Sequence, residues 1–544
     1  MLERNFVKTI ENTLKDHWDQ PCFTNFEEDT YSYGEIAESF LIFHEVFKKS
    51  RIKKGDKLAV CGKNSVNWAK AYFATVTYGA VIVPILPDFS SEDITNIINH
   101  SDSKIFFADD AIWKGLDIED MPGLEIAGKL DDFSIIKTAG GMTNELIEES
   151  RKIITNRYRG GLSPADISFD IIPNDVLGGI VYTSGTTGFS KGVMLSHNSL
   201  MANVDYAQKS IALASGDKIV SFLPMAHSFG CAFDLLFPFS VGCHINFIGR
   251  ISPQLLIKAF KEVKPRLILS VPLLIEKIYF KQLKPILNKS YAKLPVIKSI
   301  LNRVIYKKLN ETFGGNYITI VLGAAAFNPE VEAFLKKIKF RFTVGYGMTE
   351  CGPLISYMPW DQYKNRSAGR LIFHLKCKID SNDPVNTQGE ILVHGENVML
   401  GYYKNESATR DAIDSEGWLH TGDMGTLDSD NVIFIRGRSK TMLLGPAGQN
   451  IYPEELEARL QNIDIVSDAL VLERDHDIIA LIYPDPDYIK NSGLSEENIK
   501  DELNAALKLV NKDLPGYSKI IRFETMKDEF EKTPTSKIKR YKYK

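Results

Sequence analysis

The chain has 544 residues, 44% hydrophobic and 25% charged, with a formal net charge of −4. That length exceeds what one hydrophobic core supports, so at least two domains are expected. The acidic balance argues against general nucleic-acid binding, because phosphate backbones select basic surfaces. Taken in chain order, MLERNFVKTIENTLKDHWDQ carries acids and no apolar central segment, so it does not read as a secretory leader. Lys57–Cys61 (KLAVC) reads as a strand, and Ser65 as the N-cap of a helix with Val66, Ala69, Tyr72, Phe73 and Val76 on one face. AVIVPI from Ala80, KIFFA from Lys104, LILSVP (Leu267–Pro272) and ITIVLG (Ile318–Gly323) return as apolar strands. This alternation of continuous apolar strands with helices implies buried parallel sheets.

The most apolar long stretch, CAFDLLFPFSVGCHINFIG from Cys231, is interrupted by Asp234, Pro238 and His244. It reads as buried helix and strand beside a pocket rather than as a membrane span. Six scattered cysteines without a CxxC pair fit reduced thiols in a cytoplasmic setting. Composition shifts near residue 437: NVIFIRG is a strand, and GRSKTMLLGPAGQNIYPEELE is turn-rich before a helix. Ala469–Tyr483 reads as a hairpin turning at Asp475–Asp477, and Ser495 as the cap of a helix bearing Ile499, Leu503, Leu507 and Val510. The expected division is therefore 1–436 and 437–544, the second piece being of ordinary domain size.

Tyr182–Gly192 (YTSGTTGFSKG) has the composition of a phosphate loop. It is not a Walker A loop, which needs Gly-Lys-Ser/Thr, because Lys191 follows Ser190 and precedes Gly192. Gly185 and Gly188 would let backbone N–H groups converge on an anion, Thr183, Ser184, Thr186 and Thr187 add hydroxyl donors, and Lys191 adds a charge. Alone, such a stretch is as readily a surface turn.

The stretch resembles the phosphate-loop signature of the adenylate-forming (AMP-binding) superfamily, with Ser190 where that signature usually has proline. Further segments match the superfamily in order as far as Lys537, while the first 150 residues share only its α/β rhythm. Resemblance implies that His227, ending LPMAH, lies beside an acyl carboxylate. SVPLLIEKIY (Ser270–Tyr279) is similar to a segment of long-chain fatty acyl-CoA synthetases. Gly323, Ala324 and Ala325 in LGAAAF would border adenine. In VGYGMTE (Val344–Glu350), Tyr346 would stack on the base with Gly347 beside it, Thr349 would touch the α-phosphate, and Glu350 would hold Mg²⁺; ring, hydroxyl and hard oxygen suit those roles. Asp423 in GWLHTGDMG would accept both ribose hydroxyls, and Arg438 would lie near ribose and phosphates. Lys440 would be a hinge, and Gly448 would line a pantetheine tunnel. Lys537, preceded by Ser536 where glycine is usual, would bridge carboxylate and α-phosphate oxygens.

The implied fold is α/β: a large N-terminal domain of parallel-rich sheets flanked by helices, with a small β-barrel-like subdomain, and a small α+β C-terminal domain. The implied activity is ATP-dependent ligation of a medium- to long-chain fatty acid to coenzyme A through an acyl-adenylate, with release of pyrophosphate and AMP. ATP, CoA and the fatty acid are then the small-molecule partners, and Mg²⁺ the metal. An acyl-AMP ligase delivering to acyl carrier protein, an aryl or amino acid adenylating enzyme, and a nucleotide-binding pseudoenzyme remain open alternatives. The expected location is cytoplasmic, with no transmembrane anchor; a peripheral membrane contact stays open, and the sequence does not give the oligomeric state.

Overall fold

Two parallel-rich sheets dominate the computed structural model, which describes residues 1–138, 145–183, 190–289, 294–444, 450–474, 477–512, 514–533 and 537–543. In the first, Val81–Ile85, Lys57–Cys61, Ser103–Ala108 and Ile126–Lys129 run parallel with their neighbours, and Ile135–Thr138 closes one edge antiparallel. Towards its other edge Leu177–Thr183 pairs with Lys191–Ser196 antiparallel, and Gly401–Tyr402 completes eight strands. The second sheet has seven strands in the order Phe342–Val344, Thr319–Leu322, Leu267–Ser270, Lys218–Ser221, His244–Phe247, Pro21–Asn25, Thr30–Ser32. All its pairs are parallel except the last. Such strands are apolar on both faces because helices and the other sheet cover both.

The helix Val66–Tyr78 illustrates the packing. Ser65 caps it, accepting from the Trp68 N–H at 3.1 Å, and Gly79 ends it at φ 85°. The expected apolar face is buried, but so are Trp68, Ala71, Ala74, Thr75 and Thr77. The reason is its place between strands of both sheets, Lys57–Cys61 and Pro21–Asn25, so no face is left for water. The stretch from Cys231 forms a π-helical segment (Cys231–Leu236), a short helix (Phe237–Val241) and the strand His244–Phe247.

Two antiparallel sheets complete the large domain and correspond to the expected barrel-like subdomain. Tyr346–Gly347, Leu354–Tyr357 and Arg370–Leu371 form one; Leu375–Ile379, Gly389–Gly395, Leu419–Leu427 and Ile433–Arg438 form the other. A bridge between Arg370 and Val432 joins them. The expected boundary at 436/437 falls inside the strand Ile433–Arg438.

The smaller C-terminal domain has a sheet of Val466–Arg474, Asp477–Pro484 and Arg522–Thr525 with the helices Pro453–Gln461 and Glu496–Lys512. Its buried residues, among them Leu456, Leu460, Val471, Ile482 and Leu503, form a cluster separate from the large core. Arg474 faces Asp477 across the hairpin, whose residues 475 and 476 lie outside those described. Ser495 Oγ accepts from the Asn498 N–H at 3.3 Å, and Leu503, Leu507 and Val510 point inward.

Candidate active site

Strands of the seven-stranded sheet deliver three expected segments at their carboxyl ends, where open α/β sheets place ligands. After Lys218–Ser221 the chain reaches His227, which caps the short helix Ser228–Gly230. Its Nδ1 accepts from the Phe229 N–H at 3.2 Å, so the neutral ring carries its proton on Nε2. Burial, then the charge of Lys537, pushes the imidazole down to about 4, so it is neutral at neutral pH.

Beyond Thr319–Leu322 lie Gly323, Ala324 and Ala325. A Cβ at Gly323 would stand 3.0 Å from the ring of Phe229. Ala324 takes φ 69°, a left-handed conformation costing a non-glycine residue about 1 kcal/mol, and both alanines are exposed. The strand Phe342–Val344 leads to Tyr346 and Gly347. A Cβ at Gly347 would collide with the Pro353 carbonyl, so only glycine allows this close turn. Thr349 follows, buried, its hydroxyl 3.4 Å from that of Ser228.

Tyr346, Asp423 and Arg438 form one unit. The Tyr346 hydroxyl donates to Asp423 Oδ2 at 2.7 Å, and Arg438 Nε lies 3.0 Å from Oδ1. Asp423 and Arg438 are register partners on adjacent strands, so sheet pairing brings them together. The Asp423 charge, chiefly, raises the Arg438 pKa, while burial and Asp423 raise that of Tyr346. A carboxylate offers about four acceptor positions, so Asp423 keeps capacity for a further donor pair.

A second unit links Lys191 to Glu350. Thr183 and Lys191 are register partners at the ends of their strands. Lys191 Nζ stands 4.7 Å from the centre of the Tyr402 ring, and the Tyr402 hydroxyl donates to Glu350 Oε1 at 2.9 Å. Among the described residues no cluster of three or more His, Cys, Asp or Glu could hold a metal, so Glu350 offers one carboxylate. That donor set suits Mg²⁺, which keeps waters and takes substrate phosphates beside one or two carboxylates.

Lys537 enters from the small domain on a hairpin in which Lys532 bridges Ile538 and the Thr533 N–H donates to the Lys537 carbonyl at 2.7 Å. Its side chain is open to solvent, yet surrounding protein lowers its pKa, first through desolvation and then through the Arg438 charge; Asp423 and Glu350 oppose this. Residues remote in sequence thus share one cleft. Lys440 is exposed between Ser439, whose N–H donates to Gly422 of the large domain at 2.9 Å, and Thr441, whose hydroxyl donates to Glu454 of the small domain at 2.6 Å. Ser184, Gly185, Thr186, Thr187, Gly188, Gly448 and Ser536 lie outside the described residues.

Sequence reading missed the supporting residues. Tyr402 had no local signal beyond its neighbour Tyr403. Glu390 holds the Asp423 turn, accepting from the Gly422 N–H and pairing with His420 Nδ1, both at 2.9 Å. Asn203 braces the turn after Thr349, its Oδ1 accepting from the Leu354 N–H at 2.9 Å. A narrow apolar crevice has Tyr72, Ile82, Val181, Leu195 and Cys231 in its lining, together with Ala226 and Ser228, which flank His227 in the chain, and Gly352 of the Thr349 turn.

The profile of the AMP-binding enzyme family matches residues 10–403, and that of the AMP-binding enzyme C-terminal domain matches residues 441–543. The chain is 26% identical over 538 residues to a Mycobacterium bovis protein named long-chain-fatty-acid–CoA ligase FadD15, covering 90% of this chain and 86% of that one. It is 29% identical over 463 residues to probable 4-coumarate–CoA ligase 3 of Dictyostelium discoideum, covering 81% and 78%. The crystal structure of the anthranilate CoA ligase AuaEII with anthranoyl-AMP superposes with a TM-score of 0.79 at 18% identity, covering 100% and 97%.

Proposed function

The chain belongs to the AMP-binding enzyme family, and on that premise we propose that it is an ATP-dependent ligase joining a medium- to long-chain fatty acid to CoA through an acyl-adenylate. The observation that carries this reading is the convergence of Lys537 with His227, Glu350, Asp423 and Arg438, two of them anions and two other cations or donors, at one cleft.

A carboxylate is a poor electrophile. Its oxygen attacks the α-phosphorus of ATP, pyrophosphate leaves, and the mixed anhydride carries AMP as a good leaving group. Negative charge grows at the phosphorus during attack, so positioned donors do most of the catalysis. Tyr346 and the backbone at 323–325 border the base, Asp423 takes the ribose hydroxyls, and Arg438 lies towards the phosphates. Thr349 and Lys537 meet the α-phosphate, while neutral His227 offers its Nε2–H to the acyl carboxylate. Mg²⁺, held by Glu350, would neutralise phosphate charge. In the second step the CoA thiol attacks the acyl carbonyl and expels AMP.

The two domains, divided at a pivot on Lys440 rather than at 436/437, give that thiol its access. Ser439 is tied to the large domain and Thr441 to Glu454 of the small one, so rotation at Lys440 keeps both of those bonds and gives up the turn bonds from the Thr441 and Met442 N–H groups to the Arg438 carbonyl. Turning would withdraw Lys537 and bring Gly448 towards the thiol.

The name of the mycobacterial relative supports a hydrocarbon tail. A second reading, an aryl acid, draws on the name of the Dictyostelium relative. No helix among the described residues is long and apolar enough to cross a membrane, and we place the enzyme in the cytoplasm. Pyrophosphate release with a panel of fatty and aryl acids, with and without CoA, tests the proposal. Release with fatty acids and CoA-dependent thioester formation are expected. Turnover only with a carrier protein, or only with aryl acids, would replace the acceptor or the acid; no release with any acid would end the ligase reading.

A further inference from the structure

The helix Pro295–Thr312 packs onto the large domain through Ile305 and Leu309, which are buried. Its opposite face is apolar as well. Val296, Ile300 and Val304 recur every fourth residue and so share one stripe, and they are 72%, 57% and 56% exposed. Leu294, just before the helix, is 56% exposed. Among the described residues no other stretch of this length gathers as many exposed large apolar side chains. Single exposed apolar residues need no explanation, but a contiguous stripe marks a contact surface.

The charges around the stripe say what kind of contact. Arg303, Lys307 and Lys308 flank it on this helix, against one acid, Glu311, which lies 3.9 Å from Lys307. Positive charge is therefore concentrated here in a chain of net charge −4. A second copy docking through the same stripe would set these cations against their own images, which is repulsive. A protein groove is usually anchored by aromatic side chains, and this face presents only small aliphatic ones. Aliphatic side chains flanked by long-stemmed lysine and arginine instead match a lipid interface, where the stripe dips below the headgroups and the cations meet phosphate.

We propose that the helix Pro295–Thr312 docks the protein reversibly onto a bilayer bearing anionic headgroups. Contact is shallow, since only the stripe enters the interface. The inference is independent of the ligase reading, because binding is measured without acid or nucleotide.

The test is co-sedimentation of the full-length protein with vesicles of phosphatidylcholine alone, or of phosphatidylcholine with phosphatidylglycerol. Binding to the anionic vesicles, falling with salt, is expected. Each cation contributes about a fivefold gain in partition, so Arg303→Gln with Lys308→Gln should weaken it about 25-fold. The triple change Val296→Ser, Ile300→Ser and Val304→Ser should weaken it at least tenfold. All these side chains are exposed, and an unchanged thermal unfolding midpoint will verify that the variants fold. Equal partition to both vesicle types, or variants that bind like the parent, would overturn the proposal. So would light scattering that finds a dimer abolished by the triple change, since the stripe would then be a self-interface.

Discussion

Asp423, on the large domain's antiparallel sheet, receives a hydrogen bond from Tyr346 and an ion pair from Arg438. Lys537 faces the same cleft from the small domain, but its ammonium has no hydrogen-bond or ion-pair partner among the described residues. The difference fits the two proposed steps. A group that holds the nucleotide through both is fixed before substrate arrives. A group that must withdraw has no protein bond to break, and it is held in place only by what binds. Between the domains, Lys284 Nζ meets the Asn462 carbonyl at 2.9 Å, Lys281 stands 3.7 Å from Asp487, and Arg366 stands 3.9 Å from Glu455. The two exposed ion pairs contribute at most about 1 kcal/mol each and resist rotation little; the half-buried bonds of Lys284 and Asn328 to Asn462 are the ones a rotation would exchange for water.

The sharpest way to break the comparison is Lys537→Ala. Acyl-AMP formation, read as ATP–pyrophosphate exchange, should fall by ~10²–10³, the scale of losing one charge-stabilising donor. Thioester formation from supplied acyl-AMP should persist. Equal loss in both assays would mean that Lys537 stays in place throughout.

Acid tests the fixed side. Burial pushes His44 and His197 down to about 4, and among the described residues neither ring nitrogen of His197 has a partner. Their folded pKa values lie below the ordinary value near 6.5, so the unfolded chain binds more protons in acid. The stability they contribute is complete above about pH 6.5 and is lost as pH falls towards 4, roughly 2 kcal/mol for each ring by pH 5. Urea unfolding at pH 7 and pH 5 should show this loss in the large domain, and His197→Phe should reduce it. A transition independent of pH would show the rings to be reached by water.

Asp423→Asn should have a smaller effect, because Arg438 is half-exposed and water will replace part of the lost partner. A rise of about tenfold in the KM for ATP is expected, on the scale of one charged hydrogen bond discounted for solvent. AMP affinity should weaken in parallel, since the residue is held through both steps. A defect confined to adenylation would put Asp423 on the same footing as Lys537.

What could be read from the sequence divides along the same line. The strand and helix rhythm, the Ser65 and Ser495 caps and the spacing of Leu503, Leu507 and Val510 are local signals, and the structure has these elements where they were expected. The family segments could be placed in order because each is contiguous. Their support could not. Glu390 reaches Gly422 only because two strands pair across 32 residues of chain, and the Tyr346–Asp423 bond spans two sheets. The helix Val66–Tyr78 shows the opposite failure: a pattern read as one-sided was buried all round, because a second sheet supplied a cover the sequence did not announce.

Tyr402 gives the finest test, since it joins the two units through one side chain. Its ring lies under Lys191 and its hydroxyl donates to Glu350, the proposed metal ligand. Tyr402→Phe removes only the hydroxyl, and Lys191 keeps a ring to rest on. One neutral donor on a partly exposed carboxylate stabilises by about 1 kcal/mol, which corresponds to a roughly fivefold effect. The hydroxyl orients Glu350 without touching substrate, so the change should raise the Mg²⁺ concentration for half-maximal exchange while leaving AMP affinity unchanged. Tyr402→Leu removes the ring as well and should add a loss in ATP affinity through Lys191. If Phe and Leu behave alike, the ring is packing only, and the coupling between Lys191 and Glu350 is absent.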